Sequence, residues 1–439
     1  MPPLHPPLAD AKFTLNAWGV AGIFGGEEAV SAIILASLYP GRRLLGWYNA
    51  PGSLEVARQL GRLVNFQYLQ RISPSSINPP ANLFGLADGR VGPRYTAALS
   101  GTEMQTGHLG YLAIERCKEF QGVIEVPGRK TTPVHVALIN LDNVGFNRNV
   151  PRLSRINAIL AFIPIIASAM TCIMCLLIQD WYSFSTILVG IYASGFATWT
   201  VGTSVRLVLG SIKNPAPGSP PGDGILVPVV WEDMVVVVKG AEPAVNAITK
   251  GKIGLVSDGH RGFRWGIVIS AILFVLETLA QLFLIPQGSL FGQVMFALSL
   301  CVSWTYNFRI SLLNTEHLKG KAFFRMLGDP PIHKYLLGTR TTMTVFVTLL
   351  VFHGTPDPSP VAVHKLLHTF LPNDTPVWEK WREKVAQRVC DKSLSWLEMD
   401  EEGDDNDLTD SAKKILGTLL GDASAAYNGY LQMHPFGKF

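Results

Sequence analysis

Residues 265–285 read WGIVISAILFVLETLAQLFLI, with a single charge at Glu277. A helix needs about 20 mostly apolar residues to cross a hydrocarbon core of about 30 Å, and this stretch is long enough. Three other runs match it. Ile156–Ile178 and Gln287–Phe308 carry no charge, and Trp181–Val205 carries none until Arg206. Trp181, Tyr182, Trp265, Trp304 and Tyr306 stand near the run ends, where amphipathic rings settle at lipid headgroups. The linking turns are short, Gln179-Asp180 and Pro286-Gln287-Gly288, and short turns join antiparallel neighbours. The fold class expected is mainly α and integral to a membrane: four transmembrane helices in two antiparallel hairpins, 148–209 and 264–309.

Neither turn contains Lys or Arg, whereas the other ends are basic. Arg148, Arg152 and Arg155 precede the first run, and Arg206 and Lys213 follow the second. Arg261 and Arg264 precede the third, and Arg309, Lys319, Lys321 and Arg325 follow the fourth. Cytoplasmic loops carry the excess of Lys and Arg, so both termini and the central loop are expected in the cytosol, of a cell-surface or internal membrane. Arg148, Arg152 and Arg155 can each gain about 1 kcal/mol from anionic lipid, or serve only to orient the helix. The start, MPPLHPPLADAKF, lacks the basic-then-apolar order of a signal peptide. Trp18–Tyr39 and Tyr335–Phe352 are apolar but hold Glu27-Glu28 and Arg340. A charge at mid-membrane costs roughly 2.5–3.5 kcal/mol, so both are read as buried or interfacial helices.

Composition agrees with a membrane chain. Charged residues are 16 % of 439, against about 25 % in soluble proteins. A net charge of +4 without a Lys/Arg cluster argues against nucleic acid as a partner. Five cysteines, three of them inside uncharged runs, make no disulfide framework. Cys172 and Cys175 read as small packing residues.

Outside the runs, 1–147 is expected to be a cytosolic or interfacial region, with a helix near Thr106–Phe120 and a strand at Val134–Leu141. No fold is assigned to the rest of 40–147. The stretch 210–263 opens on a Pro/Gly linker and continues ILVPVV and MVVVVKG, β-branched and strand-like. A short helix starts at Glu242-Pro243, which together predicts a small cytosolic loop module with strands. Residues 310–439 are expected to be a cytosolic helical region, with an acidic segment at 398–410 too polar to pack and therefore mobile.

Familiar catalytic patterns are missing. Gly19, Gly22, Gly25 and Gly26 suggest a phosphate loop, but Glu27-Glu28 would repel phosphate. His364 and His368 share a helix face, yet no HExxH glutamate follows. There is no GxSxG and no Walker A, so no cofactor or metal is expected. The charge inside a span is the exception. Glu277 and Gln281 share a face, Gln293 should lie at the depth of Gln281, and Ser299, Ser303 and Asn307 follow at spacing four. These form a candidate polar track between the third and fourth helices, either interhelical hydrogen-bonding glue or a conduction path. Gly190, Ser194, Thr198 and Gly202 form a small-residue packing face, within the bundle or between protomers.

The stretches LGTRTTMTVF (337–346), LPNDTPVW (371–378) and KGAEPAVNAIT (239–249) resemble segments of uncharacterised polytopic membrane proteins of mushroom-forming fungi. The resemblance covers scattered pieces over about the last half of the chain. It implies a membrane protein and transfers no functional residue.

Two function classes follow. The first is a non-enzymatic membrane protein, either a small transporter or channel depending on Glu277, or a scaffold holding a cytosolic protein partner. The bilayer is then its obligatory partner, and a second copy of the chain a further one. The competing class is an enzyme acting on lipid at the cytosolic headgroups, with His317, His333 and the basic residues of 309–325 as candidates.

Overall fold

The computed structural model describes residues 24–38, 40–72, 91–142, 159–209, 221–228, 233–251, 253–257, 261–312, 315–352, 358–391 and 408–433. Arg148, Arg152, Arg155, Gly19, Gly22 and most of the acidic segment 398–410 lie outside them. The chain forms two compact units, each assembled from three separate stretches: 1–88, 148–210 and 253–326 in the first; 89–147, 211–252 and 327–439 in the second.

The first unit is helical. It contains α1 (Gly26–Leu38) and α2 (Ser53–Ile72) on the N-terminal side. The first hairpin is α4 (Phe162–Leu177) and α5 (Trp181–Ser204), and the second is α7 (Arg261–Phe283) and α8 (Leu290–Ser311), followed by α9 (Thr315–Met326). An antiparallel ribbon of β5 (Val205–Leu209) and β8 (Ile253–Ser257) prolongs α5 and introduces α7.

Two helices are long and apolar enough to cross a membrane, Trp181–Thr203 and Trp265–Gln287. The four expected from sequence are therefore not all present by this measure. Helix α4 is described over only 16 residues. Helix α8 has 22, but a face of Gln293, Ser299, Ser303 and Asn307 lowers its hydropathy, and that face is buried. The hairpins also pack differently from the simple pairing of consecutive helices. The chief neighbours of α7 are α5 and α2, and those of α8 are α4 and α1.

Asp180 brings the two turns together. Its Oδ1 accepts from Ser183 N (3.1 Å), capping α5, and its Oδ2 accepts from Ser289 N (2.8 Å) and Ser289 Oγ (2.6 Å). Ser289 in turn caps α8 by accepting from Gly292 N at 3.1 Å. One carboxylate thus sits at two helix N-termini, where the aligned peptide dipoles favour negative charge. A Cβ at Gly292 would overlap Asp180.

The second unit is an α/β layer structure. Its strands are β1 (Arg94–Ala97), β2 (Glu103–Gln105), β3 (Val123–Glu125), β4 (Val134–Asn140), β6 (Gly224–Val227), β7 (Met234–Lys239) and β9 (Ile332–Leu337), in the order β2-β1-β6-β7-β4-β9-β3. The sheet is mixed: β7–β4 and β9–β3 run parallel, the other neighbours antiparallel. Central β7 reads MVVVVK and is buried from Met234 to Val238, as a strand covered on both faces requires. Val134, Val136, Leu138, Val235, Val237 and Tyr335 share one face. They form a core with α10 (Arg340–Phe352), α11 (Pro360–Phe370), α12 (Pro376–Asp391) and α13 (Asp410–Met433). The neighbouring Lys334 points the other way. Its Nζ donates to Lys118 O (3.1 Å) and Phe120 O (3.4 Å), at the C-terminus of α3 (His108–Glu119), where a cation meets the negative end of the dipole. Helix α6 (Glu242–Thr249) packs with α3.

Three expectations change here. The strands of 210–263 form no separate loop module: β6 and β7 join the seven-stranded sheet, and β8 joins the helical unit. Tyr335–Phe352 is no single helix, since β9 precedes α10 with a break at Gly338-Thr339. Residues 310–439 are not wholly helical, because β9 lies between β4 and β3 and the helices after it cover the sheet. The physical reason is common to all three: strand partners lie far away in sequence, where local pattern cannot reach.

Candidate buried polar site in the helical unit

Two helices of the first unit, α4 and α7, turn apolar side chains outward and polar ones inward. Along α7, Trp265, Ile269, Ile272, Leu276, Leu279 and Phe283 face outward and are 43–59 % exposed. The opposite face, Ser270, Phe274, Glu277 and Gln281, is buried. Along α4, Ile163, Ile166, Met170, Ile173 and Leu177 are exposed while Ser168, Thr171, Cys172 and Cys175 are buried.

Glu277 is wholly buried. Its Oε1 accepts from Gln281 Nε2 at 3.0 Å, and its Oε2 has no hydrogen-bond partner among the described residues. Gln281 Oε1 is also unpartnered. Opposite them stands Asn49, fully buried, with neither Oδ1 nor Nδ2 hydrogen-bonded among the described residues. Gly190 of α5 lies where the two converge. A Cβ there would overlap Asn49 Oδ1 and sit 3.0 Å from Glu277 Oε1. At 1.5 Å per residue, Glu277, Gly190 and Ser299 lie about 9–14 Å from the turn end of their helices.

Ser299 and Asn307 join through the same loop. Asn49 N donates to Ser168 Oγ at 3.0 Å, and Ser168 Oγ lies 3.2 Å from Ser299 Oγ. Tyr48 OH donates to Asn307 Oδ1 at 2.7 Å. Ser303 is buried, and its Oγ has no partner among the described residues. Gln293 stands apart, donating to Gly288 O at 3.1 Å in the turn. The six residues singled out on α7 and α8 are all buried, but no direct α7–α8 seam joins them. The link is the irregular segment 45–52, which sequence reading left without a fold.

That segment also occupies the small-residue face of α5. A Cβ at Gly46 would overlap Thr198, and one at Gly195 would overlap the Trp47 ring. Ser194 is buried and Gly202 half-buried. Tyr48, Asn49 and Ser168 were missed because their partners are 119 to 259 residues away. The one available signal was an uncharged aromatic run bounded by glycines, GWYNAPG (46–52).

The other residues singled out lie elsewhere in the structure. His368 Nε2 is 3.1 Å from Asp374 Oδ1. His364 and His368 line an apolar groove of about 700 Å³ with Glu383 and Cys390, between α11 and α12. His317 and His333 fall in different units. Cys117, buried in α3, has its thiol pushed up to about 12 by burial, which keeps it protonated and inert. Asp223 is raised by burial and Lys239 lowered by it, each partly relieved by the other, while Asp223 Oδ1 accepts from Gly240 N at 2.8 Å. Among the described residues no group of three or more His, Cys, Asp or Glu stands close enough to hold a metal.

Comparison with protein families, with curated proteins and with solved structures finds no match to this chain, so the likeness to fungal membrane proteins carries no further argument, and only the residues above inform function.

Proposed function

We propose that the chain is a multi-pass membrane protein that moves a small polar or charged species through its helical unit. The observation that carries this is Glu277, a fully buried carboxyl beside the Asn49 amide, which has no hydrogen-bond partner among the described residues, in a bundle whose outer face is apolar. In water such an outer face is a large exposed apolar patch; in lipid it is the ordinary arrangement. An ionisable group inside a membrane bundle is costly and marks a pathway more often than a packing contact. In this reading α4, α5, α7 and α8 all span, and α8 does so with its polar face inward. The segment 45–52 is a re-entrant loop, which a membrane tolerates only where protein or water covers its backbone.

The second unit supports this topology. Its sheet draws strands from before the first hairpin, between the hairpins and after the second. A sheet drawn from all three stretches fits a chain that returns to the same side after 148–210 and again after 253–326, each excursion crossing an even number of times. The one-sided Lys/Arg distribution makes that side the cytosol.

The test is ion or proton flux in liposomes containing oriented, folded protein, with and without Glu277→Gln. Flux abolished by the substitution is the expected result. Absence of flux in the native protein would remove the transport reading. A membrane-anchored scaffold would then stand, with the α11–α12 groove as its docking candidate and a pull-down on the second unit as its test.

A further inference from the structure

We infer that Glu277 binds and releases one proton, held when bound between its own carboxyl and the Asn49 amide. This names the species for the transport reading and rests on that reading. Both side chains are fully buried. Among the described residues Glu277 Oε2, Asn49 Oδ1 and Asn49 Nδ2 have no hydrogen-bond partner, while Glu277 Oε1 accepts from Gln281 Nε2 at 3.0 Å. The two groups converge at Gly190, where a Cβ would overlap Asn49 Oδ1 and sit 3.0 Å from Glu277 Oε1. They lie side by side with no hydrogen bond between them. A carboxylate here is a buried charge with one donor, which is costly. A proton on Oε2 removes the charge and turns that oxygen into a donor, and Asn49 Oδ1 is the acceptor beside it. Asn49 Nδ2 serves the other state, donating to the carboxylate once the proton has left. A half-turn of the amide exchanges its two atoms, so one side chain partners both the acid and its conjugate base. The exchange moves a single proton, which needs no cavity.

The surroundings hold no competing charge among the described residues. Helix α7 packs on α5, on α2 and on the turn 285–287. Neither α5 nor that turn contains Asp, Glu, Lys, Arg or His, and Tyr182 and Tyr192 of α5 are exposed. On α2, Ser53 Oγ lies 2.8 Å from Thr278 Oγ1, which sets the start of that helix beside Glu277. Glu55 of α2 accepts from Arg58 and Gln59 of its own helix. Arg58 and Arg62 are exposed, and Arg71 stands about 27 Å along the helix from Ser53. In the segment 45–52 the ionisable side chain is Tyr48, which donates to Asn307. Asp180, at the turn end, accepts from Ser183 and Ser289. No cation among these pairs with Glu277, which leaves a proton as the partner that neutralises it. Carboxyls set inside a bundle in this way carry protons in membrane pumps and transporters.

The experiment is infrared spectroscopy of the full-length protein in lipid nanodiscs at neutral pH, with proton, sodium and potassium flux measured in liposomes beside it. The native protein should show the C=O stretch of a neutral carboxylic acid, shifted in heavy water and lost in Glu277→Gln. Asn49→Ala should move that band to higher frequency, because the acid loses the acceptor of its O–H. A merely structural role for Asn49 would not move it. The same variant should lower proton flux about tenfold, the worth of roughly one hydrogen bond, and it keeps the proposal testable should the Glu277 variant fail to fold. A native protein without the band overturns the site, as does a band that folded Asn49→Ala leaves unmoved. Sodium or potassium flux that Glu277→Gln abolishes, in a protein lacking the band, overturns the proton and leaves the transport reading intact. A band that responds to both variants without flux of any of the three ions supports the site and removes the transport reading.

Discussion

Glycine at position 190 and asparagine at position 49 explain each other. The asparagine amide fills the space in which any other residue at 190 would place its Cβ, and neither is informative alone. Sequence periodicity exposes the polar faces of α7 and α8, because Glu277 and Gln281 interrupt an apolar run at helical spacing. It does not reach Asn49, whose segment has no period and whose partners are set by the bundle. In the second unit, His135 offers a pH test. Burial first, and Lys334 second, hold its imidazole below the ordinary value of 6.5. The folded state therefore resists protonation that the unfolded chain accepts. Stability from this source is complete above about 6.5 and falls as the pH drops from there through the lower folded value. His135→Gln should flatten the loss of unfolding midpoint between neutral and mildly acidic buffer; an unchanged slope would show that other groups set it.

Elements were legible where their apolar or amphipathic pattern is local. Helix α3 is expected near Thr106–Phe120 and found from His108 to Glu119, and β4 falls within one residue of the expected strand. The β9–α10 pair was not legible, because an apolar strand and an apolar helix read alike when only a Gly-Thr break divides them. The hairpin turns show how little sequence is needed to join two elements. Asp180 accepts from Ser183 N and Oγ at the start of α5 and from Ser289 N and Oγ at the entry to α8. Asp180→Ala should lower stability by about 2–3 kcal/mol, one lost cap and one lost charged contact, with Asp180→Asn in between. The midpoint of thermal unfolding in detergent measures this, and equal midpoints for all three would show that the turns are held together by packing alone.

At the scale of the molecule, the cytosolic side of the proposed topology can be checked without any activity. Asn373-Asp374-Thr375 is a formal glycan acceptor, in an exposed loop held by Arg382, whose Nη1 donates to Asn373 O at 2.7 Å. Expressed in eukaryotic cells, the chain should migrate identically before and after glycosidase treatment. A glycan on Asn373 would place the second unit in the lumen and reverse the orientation. Domain boundaries were the least legible feature of all, since the sequence reads as five consecutive regions while each unit is assembled from three interleaved stretches.

That interleaving has a consequence for biosynthesis. Strand β4 pairs along one edge with β7 and along the other with β9, and both hairpins lie between β4 and β9 in the chain. A ribosome releases β4 long before the strand that covers its free edge. Throughout that interval the nascent chain carries an open, apolar edge strand, the feature most prone to wrong pairing. The sheet can close only after the second hairpin has been made and residue 337 has emerged. In the proposed topology, membrane insertion precedes completion of the sheet, and a hairpin stalled at the translocon would leave an unfinished sheet exposed to chaperones and proteases.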